Sequence, residues 1–286
     1  MRKNSYAKIN LSLNVINKGK PNGYHDLDMI NFTITLKDII TLKVNQKDDS
    51  NNIVITCDND KIPTDETNLV YKVIEKYKKE KNLSFSCKVH IKKKIPVFAG
   101  LAGGSSNAAT ALDILDNIFK TNMTADDKAN FLEDITADGP YMAHSCPCRV
   151  RGFGDLVLPF ATKFKYKVFL VKPKSGCNTK EIYESLNYKK LVHPDIDALE
   201  KALKENNYDE VKNLIGNSLL NAALEQNKDL KDILTRLKTC GFDIISMSGS
   251  GSTCFAISNK KYPFIYAKEI FKNKNNYELV KICKIR

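Results

Sequence analysis

Residues 96–109 read PVFAGLAGGSSNAA, and no other stretch limits so tightly what the chain can fold into. Gly100, Gly103, Gly104, Ser105 and Ser106 stand directly before an apolar run. In that run Ala108, Ala111, Leu112, Leu115, Ile118 and Phe119 recur at steps of three and four. This spacing is one face of an α-helix, predicted over 107–119, with Ser105, Ser106 or Asn107 as its cap. A glycine-rich loop exposes backbone N–H groups, and the helix N-terminus behind it adds partial positive charge. Together they form an anion site, for phosphate above all. A Walker loop would carry a lysine after its second glycine, whereas Ser105 follows Gly104. A dinucleotide fingerprint would follow a buried strand, and Lys92-Lys93-Lys94-Ile95-Pro96 makes a poor one. The alternative is a tight strand-to-helix turn that happens to be rich in small residues.

Composition narrows the setting. The 286 residues, 42% hydrophobic and 27% charged, are those of a globular protein with ample core. No stretch reaches the roughly 18 apolar residues of a membrane helix. Met1 to Asn4 run straight into a patterned strand, so no signal or transit peptide and a cytoplasmic location are expected. The eight cysteines are scattered without a CxxC pair, which points to reduced thiols rather than zinc. Cys146-Pro147-Cys148 is the only close pair. The net charge of +12 invites a nucleic-acid reading. Only five of the 45 basic residues are Arg, the usual reader of bases and phosphate forks, and the lysines are spread along the chain. No nucleic-acid or membrane partner is therefore expected, and the diffuse positive field suits anionic nucleotides.

Tyr6 to Val15 alternate apolar and polar, as a half-buried strand does, with Lys8 and Asn10 on the polar side. Further strands are predicted at Tyr24–Thr35, Ile39–Val44, Asn52–Thr56 and Phe85–Ile91, with a helix from Thr67-Asn68 to about Lys81. A short helix is expected near Ala125–Asp134, and Asp138-Gly139-Pro140 reads as a break. Strands follow at Val150–Leu158 and Tyr166–Val171, then helices over 179–186, 195–205, 208–223 and 227–239. The end reads as strand 243–247, a second glycine-rich loop over Ser248–Ser252, strand 254–257, helix 262–272 and strand 278–284. The shift from strand-rich to helix-rich near residue 160 suggests two α+β domains, 1–160 and 161–286.

The loop at 96–109 resembles the nucleotide loop of the GHMP small-molecule kinases, the family of galactokinase, homoserine kinase and mevalonate kinase. That loop wraps ATP phosphates without a Walker lysine. The resemblance extends in order through residues 5–16, 23–27, 96–109, 137–141, 152–159 and 247–252. It implies an N-terminal domain of the ribosomal S5 domain 2 type, a ferredoxin-like C-terminal domain and an active site in the cleft between them. On it, Pro96, Val97, Phe98, Ala99, Gly100, Leu101, Ala102, Gly103, Gly104, Ser105, Ser106 and Asn107 bind ATP. Lys8, in YAKINLSLNV, faces the substrate hydroxyl with Asn10 beside it; from spacing alone it reads as a solvated edge lysine. Asp138, in TADGPY, carries the catalytic carboxylate, which a nearby ammonium keeps ionised and aligned. Thr136 stands where the family usually has Gly, and Gly139 where it has Val or Ile. Gly139 is expected to loosen the backbone beside the base. Gly249, Ser250 and Gly251 resemble the third family motif and close over phosphates or the reacting hydroxyl.

Gly23-Tyr24-His25-Asp26-Leu27 resembles the base-binding element of family members that act on a cytidine nucleotide. Tyr24 would stack on cytosine and His25 read its edge, with Thr179 and Tyr183 completing that side. Stacking of this kind contributes about 1–3 kcal/mol per base. The expected reaction is ATP-dependent phosphorylation of the 2-hydroxyl of a cytidine-diphosphate-linked methylerythritol in non-mevalonate isoprenoid synthesis. Mg²⁺ would bridge the ATP phosphates; no carboxylate stands out as its ligand, leaving water and Ser106. The alternatives are another GHMP kinase acting on homoserine, mevalonate or a sugar, and a non-catalytic basic module that binds nucleotides or RNA. A monomer and a homodimer are both compatible. The stretch Ala143–Asp155 departs most from the family; Arg149 and Arg151 there either bind anions or fill an exposed strand. His90 and His193 read as ordinary residues.

Overall fold

A computed structural model describes residues 1–17, 25–48 and 50–286. Its main chain divides into two compact units. One comprises Met1–Ala7, Leu36–Val97 and Ala102–Ser145; the other comprises Lys8–Thr35, Phe98–Leu101 and Cys146–Arg286. The long strands β1 (Arg2–Asn17) and β2 (Asp26–Asn45) begin in one unit and end in the other. β2 is a single strand where two were expected from the sequence, because its backbone stays extended past Asp38.

In the first unit, β3 (Ile53–Cys57) runs parallel to β4 (Ser86–Lys92), which pairs antiparallel with residues 39–45 of β2. Helix α1 (Leu69–Lys81) starts where Asn68 accepts the N–H of Val70. It buries Val70, Val73, Ile74 and Tyr77, and packs on α2 (Gly103–Phe119). Helix α3 (Ala125–Leu132) opens with a Thr124–Asp127 capping box. Helix α4 (Gly139–His144) begins at the predicted break. A proline in the first helical turn removes only an N–H that has no intrahelical partner, so Pro140 starts this helix rather than preventing it.

The second unit contains residues 27–31 of β2 paired with β5 (Cys148–Gly152), which turns into β6 (Leu156–Pro159). A separate antiparallel sheet has β7 (Lys167–Pro173), β8 (Ile244–Met247), β9 (Cys254–Ile257) and β10 (Tyr277–Lys284) in the order β10-β7-β9-β8. This is the ferredoxin-like order that the family resemblance implies. Between β7 and β8 lie α5 (Thr179–Glu184), α6 (Ile196–Glu205), α7 (Tyr208–Leu214), α8 (Leu220–Gln226) and α9 (Lys228–Thr239). Helix α10 (Tyr262–Ile270) joins β9 to β10. The helix predicted over 208–223 is two. Residues 216–218 bond instead to β1: Leu13 N–H donates to Gly216 O (2.9 Å) and Ser218 N–H to Leu13 O (2.9 Å).

Arg149 does not fill an exposed strand, and its guanidinium is taken up by carboxylates of the chain itself. It is 8% exposed, and its guanidinium donates to both carboxylate oxygens of Asp28 (2.8 and 2.6 Å), to Asp197 (2.6 Å) and to Glu200 (3.0 Å). The fork of an arginine suits such bidentate pairing. The network ties β5 to β2 and to α6. Neighbouring Cys146 and Cys148 are free thiols 3.6 Å apart.

Candidate active site

The glycine loop of the first unit is held at both feet by Asp38, which is fully buried. Its carboxylate accepts the backbone N–H of Lys94 (2.6 Å) and Ile95 (2.8 Å), just before the loop. It also accepts from Asn107 Nδ2 (3.0 Å), just after it, and pairs with Lys93. Lys93 Nζ donates in turn to Asn107 Oδ1 (3.2 Å). Sequence reasoning missed Asp38 and Lys93 because both read as ordinary strand-end charges. Only the fold buries them against each other.

Helix α2 starts at Gly103, four residues earlier than predicted, and its cap is Ala102 rather than Ser105, Ser106 or Asn107. Ala102 sits in the left-handed region (φ 53°) and caps no N–H with its side chain. The three polar side chains turn inward instead. Ser105 bonds Thr136 (2.7 Å), Ser106 donates to Tyr6 O (2.7 Å) and bonds Ser5 (2.7 Å), and Asn107 donates to Ser5 (2.8 Å). The first turn of α2 therefore offers backbone N–H groups, with Gly104 exposed. Thr136, where the family usually has Gly, anchors this turn through its hydroxyl.

Asp138 is the residue before α4 and does not use its side chain as a cap. Gly139 tightens its surroundings rather than loosening them. Its N–H donates to Thr136 O (2.8 Å), and a Cβ there would lie 2.8 Å from Leu132 Cβ and 2.9 Å from Leu132 O. Gly139→Ala is expected to cost about 1–3 kcal/mol by overpacking, measured as a lower urea midpoint. An unchanged midpoint would mean that the close approach relaxes freely.

In the second unit, Lys8 is 4% exposed rather than solvated, because β1 is buried on both faces from Ala7 to Leu13. Lys8 Nζ donates to Asn10 Oδ1 (2.7 Å), and Lys8 N–H to Leu101 O (3.1 Å). Ser248 Oγ accepts Asn10 N–H (3.2 Å) and donates to Gly100 O (2.7 Å), tying β1, the first glycine loop and the second together. Gly100 has φ 67°, and a Cβ on it would lie 2.1 Å from Ser248 O, so this approach requires glycine. Gly249 faces Asn10 and Gly100 closely enough that a Cβ would stand 3.3 Å from Asn10 Oδ1. Asn217, missed in the sequence, braces this second loop by donating to Met247 O (2.8 Å) and Gly249 O (2.9 Å). Thr179 and Ser250 share a hydrogen bond (2.7 Å), with Gly251 following. Of the remaining loop residues, Pro96 and Val97 are half-buried, Ala99 is buried, and Phe98 is 80% exposed at φ 49°.

An aromatic cluster completes the unit. The His25 ring lies 4.5 Å from that of Tyr183 and is parallel to that of Tyr188 at 6.3 Å. Burial pushes the Tyr188 phenol up. Tyr188 was not singled out in the sequence, since it stands alone in a polar stretch. Tyr24, assigned to base stacking, and Gly23 lie outside the described residues.

The family models for the GHMP kinases N terminal domain and the GHMP kinases C terminal domain match residues 68–142 and 199–270. The chain belongs to the GHMP kinase family. It is 36% identical over 286 residues to a Clostridium perfringens protein named 4-diphosphocytidyl-2-C-methyl-D-erythritol kinase, covering 99% of this chain and 98% of that one. A Clostridium botulinum protein of the same name is 36% identical over 258 residues, covering 90% of each chain. Among solved structures, a 4-(cytidine 5'-diphospho)-2C-methyl-D-erythritol kinase matches with a TM-score of 0.81 at 22% identity, covering 100% of this chain and 99% of that one. A homoserine kinase from Cytophaga hutchinsonii matches with a TM-score of 0.71 at 17% identity, covering 99% and 95%. GHMP kinases use ATP, and the first turn of α2 carries no side-chain cap. No described helix is long and apolar enough to cross a membrane.

Proposed function

We propose that this GHMP kinase transfers the γ-phosphoryl group of ATP to the 2-hydroxyl of 4-diphosphocytidyl-2-C-methyl-D-erythritol, giving the 2-phosphate and ADP. The observation that carries the substrate class is His25 against Tyr183, 158 residues apart in sequence and 4.5 Å apart as rings. Aromatic faces beside an imidazole suit a nucleobase. Homoserine and mevalonate have no base to place there. The full-length identity to relatives named for this substrate supports the same choice.

In this reading the loop over 96–107 receives the ATP phosphates, chiefly through backbone N–H groups at the start of α2. The Asp138 carboxylate takes the proton of the attacking hydroxyl. The Lys8 ammonium offsets charge on the moving phosphoryl group, which is where phosphoryl transfer gains most from electrostatics. Asn10, Thr179 and the Gly249–Gly251 loop hold the substrate. Mg²⁺ would arrive with ATP and would supply charge neutralisation to the transfer. Ser106 is engaged by Ser5 and Tyr6, and no group of three or more His, Cys, Asp or Glu among the described residues could hold a metal.

ADP release by the purified protein with Mg·ATP, with and without the cytidine substrate, tests the assignment. Release that requires the substrate is expected. ATP binding without such release would sink the substrate assignment and point to another small alcohol, and salt-sensitive binding of polynucleotides in its place would favour a binding module. Tyr183→Ala is expected to raise KM for the cytidine substrate by about tenfold, in line with loss of one stacking face, while KM for ATP holds. An unchanged KM would remove Tyr183 from the base site.

A further inference from the structure

We propose that Asn31 is a positioning residue for Lys8, acting through Asn10. An ammonium has only donors, so Asn10 must turn its side-chain oxygen toward Lys8 Nζ, at 2.7 Å. The Asn10 amide nitrogen then faces away and donates to Asn31 Oδ1, also at 2.7 Å. Asn31 is thereby compelled to present its oxygen, and its own Nδ2 is left over. That nitrogen is buried and has no hydrogen-bond partner among the described residues, in a residue that is 0% exposed.

An orphaned buried donor costs stability. An apolar side chain of similar size at position 31 would suit the fold better, so the amide there is explained by what its oxygen does. With no oxygen at 31, the Asn10 nitrogen keeps, among the described residues, only the Met29 thioether (3.1 Å), a weak acceptor. The Asn10 amide is then free to flip and present N–H groups to the lysine. The position itself is rigid. Asn31 pairs with Cys148 in the β2–β5 ladder, one step from the ladder pair Ile30–Arg149, and Arg149 is locked to Asp28.

The consequence for turnover rests on the proposed role of Lys8; the consequence for the orientation of the Asn10 amide does not. Asn31→Leu removes the acceptor, and Asn31→Asp keeps it. In Asn31→Leu, kcat is expected to fall by about tenfold to a hundredfold, the range set by small misplacements of a catalytic group. KM for ATP should hold and Tm should stay level or rise. Asn31→Asp should keep kcat within about threefold of the unsubstituted protein, since the oxygen remains. Independently of any substrate, the side-chain amide protons of Asn10, followed by NMR hydrogen exchange and assigned with Asn10→Ala, should exchange faster in Asn31→Leu but not in Asn31→Asp, because the hydrogen bond to Asn31 Oδ1 that holds them is lost only in the first.

Unchanged exchange of the Asn10 side-chain amide in Asn31→Leu overturns the proposal. So does a parallel fall of kcat and Tm in both variants, which is the mark of a merely structural residue. If the unsubstituted protein fails to turn over the cytidine substrate, the substrate reading falls, and the exchange of the Asn10 amide alone decides the role of Asn31. Should Asn31→Leu fail to fold, Asn31→Asp decides: faster exchange of the Asn10 amide there overturns the proposal.

Discussion

Asp138→Asn should lower kcat for phosphoryl transfer by about 10²–10⁴-fold, the range of a positioned general base. The amide has the shape of the carboxylate but cannot take the hydroxyl proton. Binding of Mg·ATP should survive, because the uncapped first turn of α2 offers its N–H groups whichever side chain stands at 138. KM for the cytidine substrate should change little, since a proton acceptor acts in the transition state rather than in ground-state binding. The measurement is steady-state turnover beside calorimetric titration of ATP. A variant with kcat within about threefold of the parent would remove Asp138 from the role of base. Loss of ATP binding and turnover together would make it a structural residue of the α4 N-terminus.

Replacing Arg149 by methionine should cost stability heavily. Asp28 is only 5% exposed and receives two hydrogen bonds from this guanidinium. Without it, the only ion-pair partner of Asp28 among the described residues is Arg151, whose Nε is 3.7 Å away. Removing one partner of a buried pair leaves an uncompensated charge, at a cost of about 3–5 kcal/mol. The chemical-denaturation midpoint should fall accordingly, and Arg149→Lys should recover only part of it, because an ammonium cannot grip both oxygens. An Arg149→Met loss under about 1 kcal/mol would place the pair among surface ion pairs.

The pH dependence of that deficit has a definite sign. Hydrogen bonds from Arg149 hold the Asp197 carboxylate below its ordinary value. Burial pushes Glu200 up, but Lys204 and Arg149 together bring it below its ordinary value. A depressed carboxylate contributes stability above its unfolded pKa and loses it as pH falls through the folded one. The difference between the parent and Arg149→Met should thus be full at neutral pH and shrink below about pH 4, where unfolded carboxylates titrate. A difference that stays constant into acid would contradict the charge network as its source.

Much was legible from local patterns. The alternation in β1, the 3.6-residue period of α2, the Asn68 cap of α1 and the glycine loops at 100–104 and 249–251 each mark an element, because each depends on neighbours along the chain. The ferredoxin-like strand order was expected on resemblance and is present. Other local readings failed where distant residues overrode them. Ser105, Ser106 and Asn107 are good caps by type, yet their side chains serve Thr136, Ser5, Tyr6 and Asp38. Gly139 reads as slack and is a close contact with Leu132. The helix over 208–223 is interrupted because residues 216–218 bond to β1.

Residue type and spacing along the chain are enough to place the chain in its family and to mark most of its secondary structure, because a one-dimensional pattern carries both. The proposed roles of Lys8 and Asp138 rest on the family resemblance, since spacing alone reads Lys8 as a solvated edge lysine. Tertiary structure alone decided which charges are buried and what each polar side chain faces. Lys8 on Asn10, Asn10 on Asn31, Asp38 under the glycine loop and Arg149 on Asp28 are contacts between side chains that the fold encloses. The physical reason is desolvation. A buried polar group must find its partner inside the protein, and packing selects that partner, whatever its distance along the chain.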